Sequence, residues 1–224
     1  MGHLDVQDLI NRVVLFFIPL IFSLSLHEWG HAATAVALGD QTPKEQGRLT
    51  INPVAHIDLL GTIIVPFVLI VLKQPPIAWA KPVQFTPYRF TRKIHLKTGL
   101  MLTSAAGPAM NLVLAVGCSL AVAAAEHFGH LPGGMRTLTL LRYSVELNVL
   151  LFLFNLIPVP PFDGTRVVQG LMPYSLRKAW MQLERFAPAF VAIFLFTGIG
   201  GTLIRAPTDA LSDALYKFSH LIFR

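Results

Sequence analysis

Charge is scarce in this chain. Of its 224 residues only 13% are Asp, Glu, Lys or Arg, while 54% are hydrophobic, and the mean hydropathy is +0.59. A soluble domain carries about a quarter charged residues, so this balance excludes an ordinary soluble domain and points to a membrane protein. Cysteine is nearly absent. Cys118 stands alone, which excludes an internal disulfide and a cysteine metal cluster; lying in an apolar run, it reads as a small core side chain. No internal repeat and no low-complexity linker is present. The first residues, "MGHLDVQDLINR", lack a basic leader, so no cleaved signal peptide is expected. The net charge is +6 and the isoelectric point about 9.8. The basic residues fall between apolar runs, which suits loops on a cytoplasmic membrane face rather than a nucleic-acid partner.

Apolar runs long enough to span a bilayer, which takes about 20 residues, occupy 10–38, 98–126, 138–157 and 186–204. A shorter one, "LLGTIIVPFVLIVLK" at 59–73, makes only about 20 Å of helix, too little for a comfortable crossing. Between the first run and this one, "GRLTIN" alternates as a short strand would, and "KQPPIAWAKPVQF" after it is proline-broken and extended. "TPYRFTRKIHLK" reads as a basic amphipathic stretch at a membrane surface. "APTDALSDALYKFSHLIFR" reads as an interfacial tail helix. Lys/Arg counting is satisfied whether 59–80 spans or re-enters. Re-entry places His27 about 16 Å and Asn111 about 20 Å from the same membrane face, and is preferred because it brings the polar motifs to one level. The expected fold is an all-α polytopic membrane protein with four to five transmembrane helices and a short membrane-associated β-hairpin or re-entrant segment. It forms one integral-membrane domain over 1–224, with its core at about 20–180 and an amphipathic tail at 206–224.

Between Val13 and Leu38 the only ionisable side chains are His27, Glu28 and His31. Burying an ionised group at bilayer depth costs at least about 2.5–3.5 kcal/mol, so something must offset the cost. Residues four apart share a helix face, and H-E-x-x-H is the arrangement in which two imidazoles bind Zn²⁺ and the glutamate acts on a metal-activated water. Two interfacial histidines with a snorkelling glutamate are the bland alternative, and the depth of the motif opposes it.

Two histidines and a water leave a catalytic zinc one protein ligand short. Glu146 lies inside a spanning run, but Arg142 four residues earlier offers it an ion pair. Glu126, His127 and His130 could form a surface site at a helix end, where a solvated loop is the simpler reading. Asp163 stands in "NLIPVPPFDG", where Pro158, Pro160 and Pro161 break the helix. Irregular backbone at membrane depth is tolerated beside protein or water, which gives a carboxylate ligand its pocket. The alternative role for Asp163 is to cap the helix that follows. Asn111, after "AAGPAM", and Asn155 lie in or beside apolar helices, where a buried amide must find partners. Each could orient a ligand, hold an oxyanion, or simply join helices.

Taken together, "HEWGH", "GRLTINPVAHID", "WAKPV", "AAGPAMN" and "NLIPVPPFDG", in this order over about residues 20–180, resemble the site-2 protease family of intramembrane zinc metalloproteases. The resemblance is closest to its compact branch, which lacks PDZ and nucleotide-sensing domains. It implies one zinc held by His27, His31 and Asp163, and Glu28 as general base. It also implies that Asn155 acts on substrate or transition state and that Asn111 shapes the site; His56, in "NPVAH", takes no catalytic role and either faces the site as an auxiliary shaping residue or merely orders the loop. The implied partners are the lipid bilayer and a membrane-protein substrate with a transmembrane helix, cleaved in or near that helix. The implied location is the cell membrane, with the site open toward the cytoplasm. To be cut, such a helix must unwind, and a strand edge at "GRLTIN" or "IAWAKPV" would pair with it. Rival readings are a zinc hydrolase of a non-peptide substrate, a metal transporter and an inactive scaffold. A transporter has no use for Glu28 as a base and usually shows paired broken helices, which this sequence lacks. Intact ligands and Glu28 oppose the scaffold.

Overall fold

A computed structural model describes residues 6–129, 132–186, 189 and 199–223. The first helix, α1 (Val6–Ala37), exposes Val6, Ile10, Val14, Ile18 and Phe22. These stand every fourth residue, so they form one outward apolar stripe. Its buried side carries Ser23, Ser25, His27, Glu28, Gly30 and His31. Polar inside and apolar outside is the pattern that lipid imposes, because only another protein surface can satisfy those polar groups.

A short helix, α2 (Leu59–Val71), begins as one π-helical turn over Leu59–Ile64. The Asp58 carboxylate accepts from the Gly61 N–H at 2.7 Å and so caps it. The chain then returns as an extended arm. Trp79 N–H donates to Gly61 O and Lys81 N–H to His56 O, so both ends of the 56–81 segment lie together. Phe16 and Leu20 of α1 pack with Ile70 of α2 and Leu147.

Two long helices follow, α3 (Leu96–Phe128) and α4 (Gly134–Asn155). Helix α3 is central and packs against α1, α4, α5 (Gly164–Leu171) and α7 (Ile199–Ile222), while α6 (Arg177–Glu184) follows α5. Helix α3 buries Gly99, Thr103, Ser104, Gly107, Pro108 and Asn111, small or polar residues that let neighbouring helices approach. Helix α7 packs along α3 and α4, burying Thr208, Ser212 and Ser219 while exposing Leu203, Phe218 and Leu221. Ser219 and Ser119 share a buried hydrogen bond of 2.8 Å.

One expectation about the fold is met in part and another is corrected. Among the described residues three helices are long and apolar enough to cross a membrane (α1, α3 and α4), of the four to five expected. The 59–73 run is too short, and the run at 186–204 lies largely outside the described residues. There is also no strand, hence no β-hairpin, among the described residues. In "GRLTIN" local bonds take over the backbone: Asn52 N–H donates to Thr50 Oγ1, and the Asn52 side chain accepts from Val54 N–H, both at 3.1 Å. Such bonds compete with a ladder. In the extended arm Pro75, Pro76 and Pro82 have no N–H to give one.

Candidate metal centre

His27 and His31 lie one turn apart on the buried face of α1, with ring centroids 4.7 Å apart. Their Nε2 atoms are 3.1 Å apart. Asp163 Oδ2 lies 3.1 Å from Nε2 of His27 and 3.3 Å from Nε2 of His31. Ligand atoms about 2.0–2.2 Å from a tetrahedral zinc are separated by about 3.3–3.6 Å, so this triangle is within a few tenths of an ångström of what the ion requires.

The far side of each imidazole fixes its proton. His31 Nδ1 lies 2.7 Å from Thr103 O, a carbonyl that can only accept. Nδ1 therefore carries a hydrogen, and in the neutral ring Nε2 presents a lone pair. His27 Nδ1 lies 2.6 Å from Asn111 Oδ1 and is oriented the same way. Two lone pairs and a carboxylate oxygen thus converge on one buried point, an arrangement that repels itself without a cation and fits zinc with its imidazoles held from behind.

Asp163 reaches this point because the chain breaks at the end of α4. The segment Ile157–Phe162 turns through Pro158, Pro160 and Pro161, with the Pro160–Pro161 bond cis. Gly164 then packs so closely on Leu156 O and Ile157 O that a side chain there would collide. Asp163 occupies the N-cap position of α5, yet its side chain makes no capping bond. It faces the imidazoles instead. Gly107 of α3 lies beneath both rings: a Cβ there would stand 2.7 Å from His27 Nε2 and closer still to His31.

A cavity of about 1000 Å³ opens onto the three donors and is lined by Glu28, Val83, Phe85, Asn155 and Thr165 among others. Glu28 is buried, and its Oε2 accepts from Val83 N–H at 2.8 Å. Asn155 donates from Nδ2 to Leu151 O at 3.0 Å, which leaves it one further N–H. Asn111 touches His27 and does not line the cavity. His56 lies elsewhere, buried beneath the 50–58 loop, with its Nε2 at 2.8 Å from Thr50 O.

The other candidate ligands are not gathered in this way. Among the described residues His27, His31 and Asp163 form the one cluster that could hold a metal. Arg142 pairs across to Glu126 on α3 rather than with Glu146 on its own helix, and Glu126 also faces His220 at 3.3 Å. The mooted Glu126–His127–His130 site includes His130, which lies outside the described residues. Two main-chain groups, Thr103 O and Val83 N–H, also hold the site, and a sequence gives no signal for either. Asn148 carries the same signal as Asn111, an amide inside an apolar helix that must find partners.

No family model matches the chain, and no solved structure matches it. The chain is 35% identical over 210 residues to the protein named "Putative zinc metalloprotease YwhC" of Bacillus subtilis, covering 92% of this chain and 91% of that one. Proteins named "Putative zinc metalloprotease Rip2" are 28% identical in Mycolicibacterium smegmatis, covering 82% of this chain and 67% of that one, and 26% identical in Mycobacterium tuberculosis, covering 81% and 66%. Identity at this level with YwhC, along nearly the full length of both chains, agrees with the donor set and the apolar helices around it: the chain belongs to the site-2 protease-like family of zinc metalloproteases.

Proposed function

We propose that this protein is an intramembrane protease that hydrolyses peptide bonds in or near transmembrane segments of other membrane proteins. His27, His31 and Asp163 hold zinc, and Glu28 is the general base. The observation that carries this reading is the convergence of three donor atoms at a buried point among apolar helices, with Glu28 on the same cavity. Zinc at that point supplies Lewis-acid polarisation and an acidified water when bound.

The protein's own groups do the rest. Val83 N–H holds Glu28 Oε2, leaving Oε1 to take the proton from water and return it to the departing amine nitrogen. The spare N–H of Asn155 faces the developing oxyanion. The substrate lies extended along residues 83–85. Gln84 and Phe85 have main-chain groups that, among the described residues, bond to no protein partner, as pairing with an unwound segment requires. Arg166 fixes this arm by lying 5.3 Å over the Phe85 ring. The cavity opens to the cytoplasmic face of the cell membrane, where the basic 89–97 loop sits.

The test compares purified wild type with Glu28→Gln for zinc content and for cleavage of a membrane-protein substrate. The expected result is one zinc per chain in both, with the variant slower by about 10²–10⁴-fold. Full activity in the variant, or no zinc in the wild type, overturns the reading.

A further inference from the structure

We propose that Asn148, acting with Ser23, is a positioning residue that sets the tautomer of His27 through Asn111; the inference rests on His27 being a zinc ligand. Asn148 and Ser23 lie outside the motifs that carry the chemistry, on α4 and on α1 one turn before His27. Ser23, Asn111 and Asn148 are each 0% exposed, so no water can substitute for a missing partner and every donor must be matched within the protein.

The direction of each bond follows from carbonyl oxygens, which only accept. Ser23 Oγ lies 2.6 Å from Pro19 O, so its hydroxyl hydrogen points there and its lone pairs face Asn148. Asn148 Nδ2 donates to Ser23 Oγ and to Ser144 O, each at 2.8 Å, which spends both of its hydrogens. The Asn148 amide can therefore sit only one way round, with Oδ1 toward Asn111. Asn111 Nδ2 donates to that oxygen at 2.9 Å and to Ser23 O at 3.3 Å. Its own Oδ1 is then left for His27 Nδ1 at 2.6 Å. An oxygen acceptor there demands a hydrogen on Nδ1, and a neutral imidazole with a hydrogen on Nδ1 has its lone pair on Nε2, the atom that faces His31 and Asp163.

The network thus passes an orientation from α4 to α3 to α1. A flipped Asn111 would present N–H groups to Nδ1, move the hydrogen to Nε2 and close the ligand position. Among the described residues the weaker 3.3 Å contact to Ser23 O is the only other bond opposing that flip, so Asn148 holds the larger share of the restraint.

The test uses the full chain in detergent with Zn²⁺ and Co²⁺ as the probes. Zinc affinity is read by chelator competition and ligand geometry from the cobalt absorption bands. Asn148→Leu removes the acceptor at similar volume and is expected to weaken zinc about 10–100-fold, the usual effect of losing a partner behind a metal-binding histidine, and to shift the cobalt spectrum. Asn148→Asp keeps an oxygen facing Asn111 and is expected to recover most of the affinity and the wild-type spectrum. If Asn148→Leu does not fold, Ser23→Ala, which removes the hydroxyl that is anchored on Pro19 O and accepts from Asn148 Nδ2, is expected to weaken zinc several-fold with the same spectral shift. Wild-type affinity and spectrum in Asn148→Leu, or in Ser23→Ala where that variant stands in for it, overturns the proposal. So does equal loss in Asn148→Asp and Asn148→Leu. Failure of the wild type itself to bind either metal would instead overturn the zinc reading of His27.

Discussion

The main-chain N–H of Val83 donates to Oε2 of Glu28 across 2.8 Å, joining residues 55 positions apart in the chain. Glu28 lies on a helix and Val83 on an extended arm with no ladder of its own. One hydrogen bond therefore couples the residue assigned as base to the segment assigned to hold substrate. Proline at position 83 removes that donor without touching His27, His31 or Asp163. A hydrogen bond to a charged group is worth about 1.5–3 kcal/mol, so Val83→Pro should slow peptide cleavage about 10–150-fold. Metal analysis should still find wild-type zinc, and Val83→Ala should cleave normally.

The neighbouring position separates pairing from chemistry. Gln84 N–H has no protein partner among the described residues and lies on the cavity. Gln84→Pro should depress cleavage of a helical transmembrane substrate more than that of a short extended peptide, because only the former must find new partners for its unwound backbone. Parallel assays of the two substrates decide this, and equal losses would count against edge pairing. Ile51, in the "GRLTIN" stretch expected to form a strand edge, stands in a loop away from the cavity, so Ile51→Pro should spare both substrates.

Gly107 should not tolerate a methyl group. Its Cβ would intrude on both imidazoles, and the close helix approach leaves the rings no room to retreat. Gly107→Ala is expected to lose bound zinc and activity together. Gly117, ten residues along the same helix, has open space where a Cβ would go. Gly117→Ala should keep zinc and gain up to about 1 kcal/mol of helix stability, visible as a higher melting temperature in detergent.

Removing the metal should both inactivate and destabilise the protein. Without a cation, two imidazole lone pairs and the Asp163 carboxylate face one another at 3.1–3.3 Å. Zinc present at about a thousand times its dissociation constant adds about 4 kcal/mol to stability by mass action. Chelation should lower the thermal midpoint and abolish cleavage, and added zinc should restore both. Asp163→Ala should show the lower midpoint from the outset and no response to zinc.

Much of the site was legible because it rests on local or compositional rules. Four residues of helix place His27 and His31 on one face whatever surrounds them, and three prolines after Asn155 must break α4. The strand and hairpin were misread because alternation in "GRLTIN" describes a face without saying whether a partner exists. Here the side chains of Thr50 and Asn52 satisfy the backbone first. The pairing of Arg142 was misread for a related reason, since a long side chain reaches a neighbouring helix as easily as its own.

By itself, then, the sequence determined long apolar helices and one helix that presents His27, Glu28 and His31 together, because hydropathy and helical period act within one segment. Tertiary structure alone decided that Asp163 turns from capping α5 to facing two imidazoles 136 and 132 residues away in the chain. It also decided that Thr103 O and Asn111 fix those imidazoles from behind, and that Val83 holds Glu28. These are contacts between segments, several made by main-chain atoms that every residue shares, and only the packing of the helices can say which of them meet.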